Sequence, residues 1–291
     1  MSVRLLNASG CLDALTAPSM ARSLDGFVTK TVTPLPREGN PPPRIAEADH
    51  GMLNSIGLQN PGVGTFVDDV LPRLALLGIP LWVSVGGFSA RDYAAVCERL
   101  EEEDDVAALE LNLSCPNVEE APESAAELVA AVRRVTRKQL YAKLSPAAWD
   151  IAESARAVAA AGADGLSLVN TIRGLALDPA TGRSLLALGS GGYSGPALRP
   201  IALACVHACA QAVDLPIVGM GGVESGRHAH DLVSAAASAV ALGTILFADP
   251  AAPGRIRVEF ESEPSLLGEV SVAETKGLAR GSPAGAGASA E

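Results

Sequence analysis

The sequence predicts a single α/β domain folded as a (β/α)8, or TIM, barrel, and three observations predict it. Short apolar runs bounded by Gly, Pro, Asp and Asn alternate with Ala-rich helical stretches, the pattern of parallel strands joined by crossover helices. Eight such runs can be placed, the number a closed barrel needs. The 291 residues are also sufficient, since such a barrel takes roughly 250.

Taken in order, the eight runs are residues 26–30, 51–55, 80–85, 107–111, 140–144, 165–169, 216–220 and 239–242. Helical patterns fill 90–102, 121–137, 150–161, 195–213 and 225–237. Ser89, Asp150 and Ser225 stand where an N-cap oxygen would accept from the first helical turn, and Gly162 suits a left-handed helix end. The stretch TPLPREGNPPPR at 33–44 has too many prolines for a helix or a central strand and reads as a long ordered loop. The barrel is assigned to residues 1–265. Residues 266–291 are small and polar without periodicity, and a disordered tail is expected there.

Composition narrows the class. Hydrophobic residues make up 48% of the chain and aromatics only 3%, so Ala, Val and Leu must fill the core. A net charge of −11 lacks the basic footprint that nucleic acid or an anionic membrane surface needs. The five cysteines are odd in number and contain no CxxC pair, which argues against a disulfide scaffold. Cys205 and Cys209 lie one helical turn apart among alanines and read as apolar packing. No signal-peptide core and no apolar run of membrane-spanning length is present, so a cytoplasmic protein with no membrane partner is expected.

Barrel enzymes carry their chemistry at the C-terminal ends of the strands, and polar residues gather there. Lys30 ends the first run and Asn54 lies near the end of the second. Asn112, Ser114, Cys115 and Asn117 follow the fourth. Lys143 lies at the end of the fifth, and Asn170 and Thr171 at the end of the sixth. Gly221 and Gly222 follow the seventh; Gly243 and Thr244 follow the eighth. This set holds no carboxylate pair, no histidine cluster and no Ser-His-Asp order, so paired-carboxylate hydrolysis and zinc catalysis find no support. Asparagines offer donors and acceptors to a ring bearing amides and carbonyls, and two lysines suit a carboxylate and an electron-rich cofactor. Glycine loops after strands 7 and 8, with GSGGYSGPA ahead of a helix, suit a phosphate. The residues alone leave Cys115 open between a buried apolar thiol and a reactive one. His228 and His230 read as helix-surface residues; His50 and His207 have no context beyond a structural one.

Nine segments carry a resemblance: ASG at 8–10, FVTKTVTPLPREGNPPPR, GMLNSIGLQNPG, LELNLSCPNV, YAKLSP, AGADGLSLVNT, GGYSGPALRPIAL, IVGMGGV and AVALGT. In these, over roughly residues 8–250, the chain resembles the class 1 dihydroorotate dehydrogenases, most closely the class 1B catalytic subunit. The stretch between ASG and residue 26 looks shorter than the family's connection, and the match fades after Phe247.

The resemblance implies FMN-dependent oxidation of dihydroorotate to orotate in pyrimidine biosynthesis. Its implied catalytic residues are Cys115, as base for the C5 proton, with Lys30 and Lys143. Lys30, Asn54, Ile56, Gly57, Leu58, Asn112, Asn117, Asn170 and Thr171 would bind substrate. Ala8, Ser9, Lys30, Asn112, Lys143, Gly195, Gly221, Gly222, Gly243 and Thr244 would bind FMN, and no metal is implied. It further implies a homodimer and a separate electron-transfer subunit carrying FAD and an iron–sulfur cluster. Two other readings stand beside it: an FMN enzyme acting on another pyrimidine, like dihydropyrimidine dehydrogenase, and a flavin-binding barrel without turnover.

Overall fold

The computed structural model of the protein describes residues 2–113 and 124–262. Its strands are β1 (Leu5–Asn7), β2 (Phe27–Val28), β3 (Ile45–Ala48), β4 (Gly51–Asn54), β5 (Leu81–Val85), β6 (Val106–Asn112), β7 (Gln139–Leu144), β8 (Gly165–Leu168), β9 (Ile172–Gly174), β10 (Gly191–Ser194), β11 (Ile217–Met220) and β12 (Ala239–Leu242). Eight of them form one parallel sheet in the order β1-β12-β11-β8-β7-β6-β5-β2. The other four form a small antiparallel sheet, β3-β4-β10-β9. The helices are α1 (Pro18–Arg22), α2 (Gly62–Thr65), α3 (Leu71–Ala75), α4 (Ala90–Glu101), α5 (Ala125–Arg133), α6 (Ile151–Ala160), α7 (Arg199–Ala212), α8 (Gly226–Ser234), α9 (Ile245–Ala248) and α10 (Ala252–Ser262). A π-helical turn, Phe66–Val70, joins α2 to α3. No helix among the described residues is long and apolar enough to cross a membrane.

Closure of the barrel depends on one side chain. Between β1 and β2 the backbone makes a single parallel bridge, Leu6 to Gly26. Asn7 supplies what the backbone omits: its Nδ2 donates to Val28 O at 2.7 Å, and its Oδ1 accepts from Val28 N at 2.8 Å. The carboxamide stands in for a peptide group. Asp25 completes the seam, accepting from Leu5 N on its carboxylate and donating from its own N to Leu5 O.

Alternation along each strand divides the core in two. Leu109, Leu111, Leu140, Ala142, Leu144, Leu166 and Leu168 pack outward under the helices. Leu6, Val28, Trp82, Ala108, Val218, Met220, Ala239 and Ala241 pack inward, with Tyr141 against Trp82 at a ring separation of 4.3 Å. This apolar plug closes the bottom of the barrel. One step up the same faces stand Ser84, Glu110, Lys143 and Ser167, all buried.

The helix starts follow the sequence. The side chains of Ser89, Asp150 and Ser225 accept from the N–H groups of Asp92, Glu153 and His228, as N-caps do. Ser124 and Glu127 add a reciprocal capping box to α5. Gly162 takes φ +103 after α6, the left-handed position expected of it.

Two expectations need correction, and a third falls outside the described residues. Residues 51–55 do not form a barrel strand: β4 pairs antiparallel with β3 and β10. The missing barrel strand is β1, only three residues long and ending in a polar Asn7 that serves the seam. The helix expected from 195 begins at Arg199, after a 3-10 turn at Pro196–Leu198, because Gly195 sits at φ +129, outside the helical region. The expected domain boundary at 265 and the tail 266–291 lie outside the described residues.

The proline-rich stretch 33–44 is an ordered loop with a purpose. Asn60 Nδ2 donates to Thr33 Oγ1, Arg37 Nε donates to Gly57 O, and Asn40 donates from N to Ile56 O and from Nδ2 to Ser55 Oγ. It therefore braces the segment 55–60 from behind.

Candidate active site

A cavity of about 490 Å3 opens at the C-terminal mouth of the barrel, within the range typical of small-ligand sites. Its lining includes Ala8, Ser9, Lys30, Asn54, Ile56, Gly57, Leu58, Asn112, Lys143, Asn170, Thr171, Gly195, Gly221, Gly222, Gly243 and Thr244. Every described residue expected to bind substrate or cofactor thus lines this one cavity. Cys115 and Asn117 lie outside the described residues, as does Ser114.

Strand order explains how the chemistry is distributed. The glycine loops follow β11 and β12, which are neighbours. Asn170, Lys143 and Asn112 follow from the contiguous strands β8, β7 and β6, and Lys30 follows β2 at the far end of the same sheet. One arc of the mouth is therefore glycine backbone, and the next is amide and ammonium.

Two glycines show why that first arc cannot carry side chains. Gly195 has φ +129, and a Cβ there would stand 2.5 Å from Gly51 Cα. Gly222 has φ +70, and its Cβ would stand 2.8 Å from Gly195 O. Both conformations are open to glycine and strained for L side chains. The closely approaching backbone forms a concave cradle of the kind that suits a phosphate.

The amide arc is preorganised by a hydrogen-bond chain. Asn170 Nδ2 donates to Asn112 Oδ1 at 2.9 Å, and Asn112 Nδ2 donates to Thr31 Oγ1 at 3.2 Å. Thr31 Oγ1 lies 2.9 Å from Ser84 Oγ. Either hydroxyl can donate in that contact, since a hydroxyl oxygen can accept twice. Tyr93 OH donates to Asn112 O at 2.7 Å and pins the end of β6. The chain fixes which end of the Asn112 amide is donor and which is acceptor.

Lys143 forms the floor. It is 4% exposed, and its Nζ donates to Ser9 Oγ at 3.0 Å and to Glu110 Oε1 at 3.4 Å. Lys30 is less enclosed. Burial, and then the Arg44 guanidinium, hold its pKa below the ordinary lysine value. Cys11, beside Ser9, is pushed up by burial, which outweighs the pull of Lys143; Glu110 adds to the rise.

The second sheet supplies lining residues that strand-end reasoning missed. Met52, Arg173, Gly192 and Ser194 come from β4, β9 and β10, and Ile45, Leu188 and Phe247 form an apolar rim. Arg173 lies two residues after the NT of LSLVNT, a signal present in the sequence. The others depend on a sheet that the barrel pattern does not announce.

The remaining candidates are structural. His230 stacks on Phe260 at 3.8 Å, with its Nε2 2.7 Å from Phe260 O, so it docks α10 rather than standing on a free surface. His228 Nδ1 accepts from Glu224 N. Cys205 and Cys209 are buried thiols, as expected, and burial pushes Cys209 up to about 12. Among the described residues no group of His, Cys, Asp or Glu could hold a metal ion. The donors present suit anions and a hydrogen-bonding ring.

Comparison with known proteins agrees with that chemistry. A family model described as dihydroorotate dehydrogenase matches residues 3–263. The chain is 46% identical over 234 residues to a protein from Halalkalibacterium halodurans, covering 78% of this chain and 77% of that relative. It is 44% identical over 254 residues to one from Bacillus cytotoxicus, covering 85% and 81%. Both relatives are named dihydroorotate dehydrogenase B (NAD(+)), catalytic subunit. A crystal structure of DHODH from Eimeria tenella, in complex with ferulenol, superposes with a TM-score of 0.72 at 24% identity, covering 88% of this chain and 80% of that one; it speaks to the fold.

Proposed function

The chain belongs to the dihydroorotate dehydrogenase family, and from that premise we propose which residues perform the oxidation of dihydroorotate to orotate in pyrimidine biosynthesis. The observation that carries the assignment is the division of one cavity into a glycine arc and an amide and ammonium arc. The first suits the phosphate and ribityl chain of FMN, and the second suits a flavin edge and a pyrimidine ring.

FMN, when bound, supplies the acceptor for the hydride leaving C6 of the substrate. Gly195, Gly221, Gly222, Gly243 and Thr244 would hold its phosphate end, and Ala8 and Ser9 would lie along the ring. The Lys143 ammonium would face the flavin edge where negative charge collects, stabilising it electrostatically. Asn54, Asn112, Asn117, Asn170 and Thr171 would orient the pyrimidine through its amide and carbonyl groups, with Ile56, Gly57 and Leu58 forming one wall. Lys30 would hold the carboxylate. Cys115 would take the C5 proton as a thiolate, since the thiolate is the basic form.

Class B naming of the relatives supports a separate electron-transfer subunit as the route onward for electrons. We assign the chain to the catalytic half of that pair, as a homodimer in the cytoplasm. Residues 1–265 form the catalytic domain, with 266–291 as an appended tail.

The purified chain should be yellow, and anaerobic dihydroorotate should bleach it. Cys115→Ala should slow bleaching by about 10²–10⁴-fold, the range general acid–base groups supply. Unchanged bleaching removes Cys115 from its role. A colourless chain that takes up no FMN removes the cofactor assignment.

A further inference from the structure

Glu110 is a carboxylate in the middle of a barrel. It lies on the inward face of β6, 1% exposed, with Ser84 of β5 and Tyr141 of β7 beside it in the ladders. Its partner is Lys143, reached at 3.4 Å across the β6–β7 pair. Packing alone does not call for this pair. One layer below, Val28, Trp82 and Val218 fill the same interior with apolar and aromatic groups. A buried ion pair is often no more stable than apolar residues of similar volume, because both charges must be desolvated. What the pair does provide is a defined charge at the cavity floor. Lys143 Nζ is tethered on two sides, by Glu110 and by Ser9 Oγ.

We propose that Glu110 is a positioning residue for flavin chemistry: it holds the Lys143 ammonium at the cavity floor and partly cancels its charge, lowering the flavin's reduction potential. This inference rests on the proposed binding of FMN against Lys143. A bare lysine beside the flavin would favour the reduced form strongly, and electrons would leave it slowly. A carboxylate behind that lysine weakens its field without removing its hydrogen bond. The flavin can then both accept from substrate and pass electrons on.

The test is a redox titration of the FMN-loaded chain against a reference dye at neutral pH. Glu110→Gln keeps the shape and removes the charge. It should raise the equilibrium constant for flavin reduction by about tenfold or more, the scale of one unit charge roughly 10 Å away at an effective dielectric of about 20. Glu110→Asp draws the carboxylate back by one methylene and should shift the constant the same way by less. In a Lys143→Met background, Glu110→Gln should lose most of its effect, because a buried carboxylate without its cation is held in the neutral form. A purely structural role would not make the two substitutions depend on each other in the potential. If Glu110→Gln does not fold, Glu110→Asp, alone and with Lys143→Met, carries the same comparison. A constant within about twofold of wild type, a shift toward the oxidised form, or an equal shift with and without Lys143 overturns the inference. A wild-type chain that takes up no flavin overturns the cofactor reading and this one with it. Flavin that binds normally but ignores Glu110 overturns this one alone.

Discussion

Replacing Asn7 by Leu tests whether a single carboxamide closes the barrel. Leucine is close in size and apolar, so the 0% exposed site stays filled, but both bonds to Val28 are lost. Val28 N and Val28 O then face β1 with no partner, in a residue that is 2% exposed. Each buried backbone group left unsatisfied costs about 1–3 kcal/mol, so the substitution should cost roughly 2–6 kcal/mol. That is a large share of the stability of an ordinary domain, about 5–15 kcal/mol. Urea unfolding followed by circular dichroism should show the midpoint falling at unchanged slope. Because β1 leads directly into Ala8 and Ser9, FMN should also dissociate faster from the folded variant. A loss below about 0.5 kcal/mol, within the scatter of an ordinary surface substitution, would mean that the seam closes without the amide and that the reasoning is wrong.

Two further outcomes follow from the cavity. Thr31→Val keeps the shape of a 7% exposed residue but removes the acceptor for Asn112 Nδ2 and the hydroxyl partner of Ser84. Losing the net worth of one hydrogen bond should weaken dihydroorotate binding by about 3–10-fold, read as KM with kcat less affected; an unchanged KM shows that the chain does not orient Asn112. Lys30 has a lowered pKa in the free protein, chiefly through burial. An anionic carboxylate placed beside it must raise that pKa, so binding takes up a proton when the pH lies between the two values. Orotate affinity should therefore fall as pH rises through that window and level off outside it, with the proton uptake visible in calorimetry across buffers. Binding without proton uptake throughout this window, or lost equally in Lys30→Met at every pH, places the carboxylate elsewhere.

The sequence by itself determined the architecture and many of the residues that line the cavity. Alternating apolar runs and Ala-rich helices specify a β/α repeat because their periods differ, and Ser89, Asp150 and Ser225 mark helix starts through their side-chain oxygens. Lys30, Lys143, Asn112 and Asn170 could be singled out because a barrel points its strand ends at one mouth. Only the tertiary structure decided which runs belong to the barrel. Residues 51–55 and a barrel strand look alike locally, since strand period does not record whether the neighbour runs parallel or antiparallel. Leu5–Asn7 is too short to stand out, and its polar residue has meaning only when Val28 lies opposite. The same holds for Glu110 and Lys143. Their separation of 33 residues carries no periodic signal, and the meeting of the two charges follows from strand register alone.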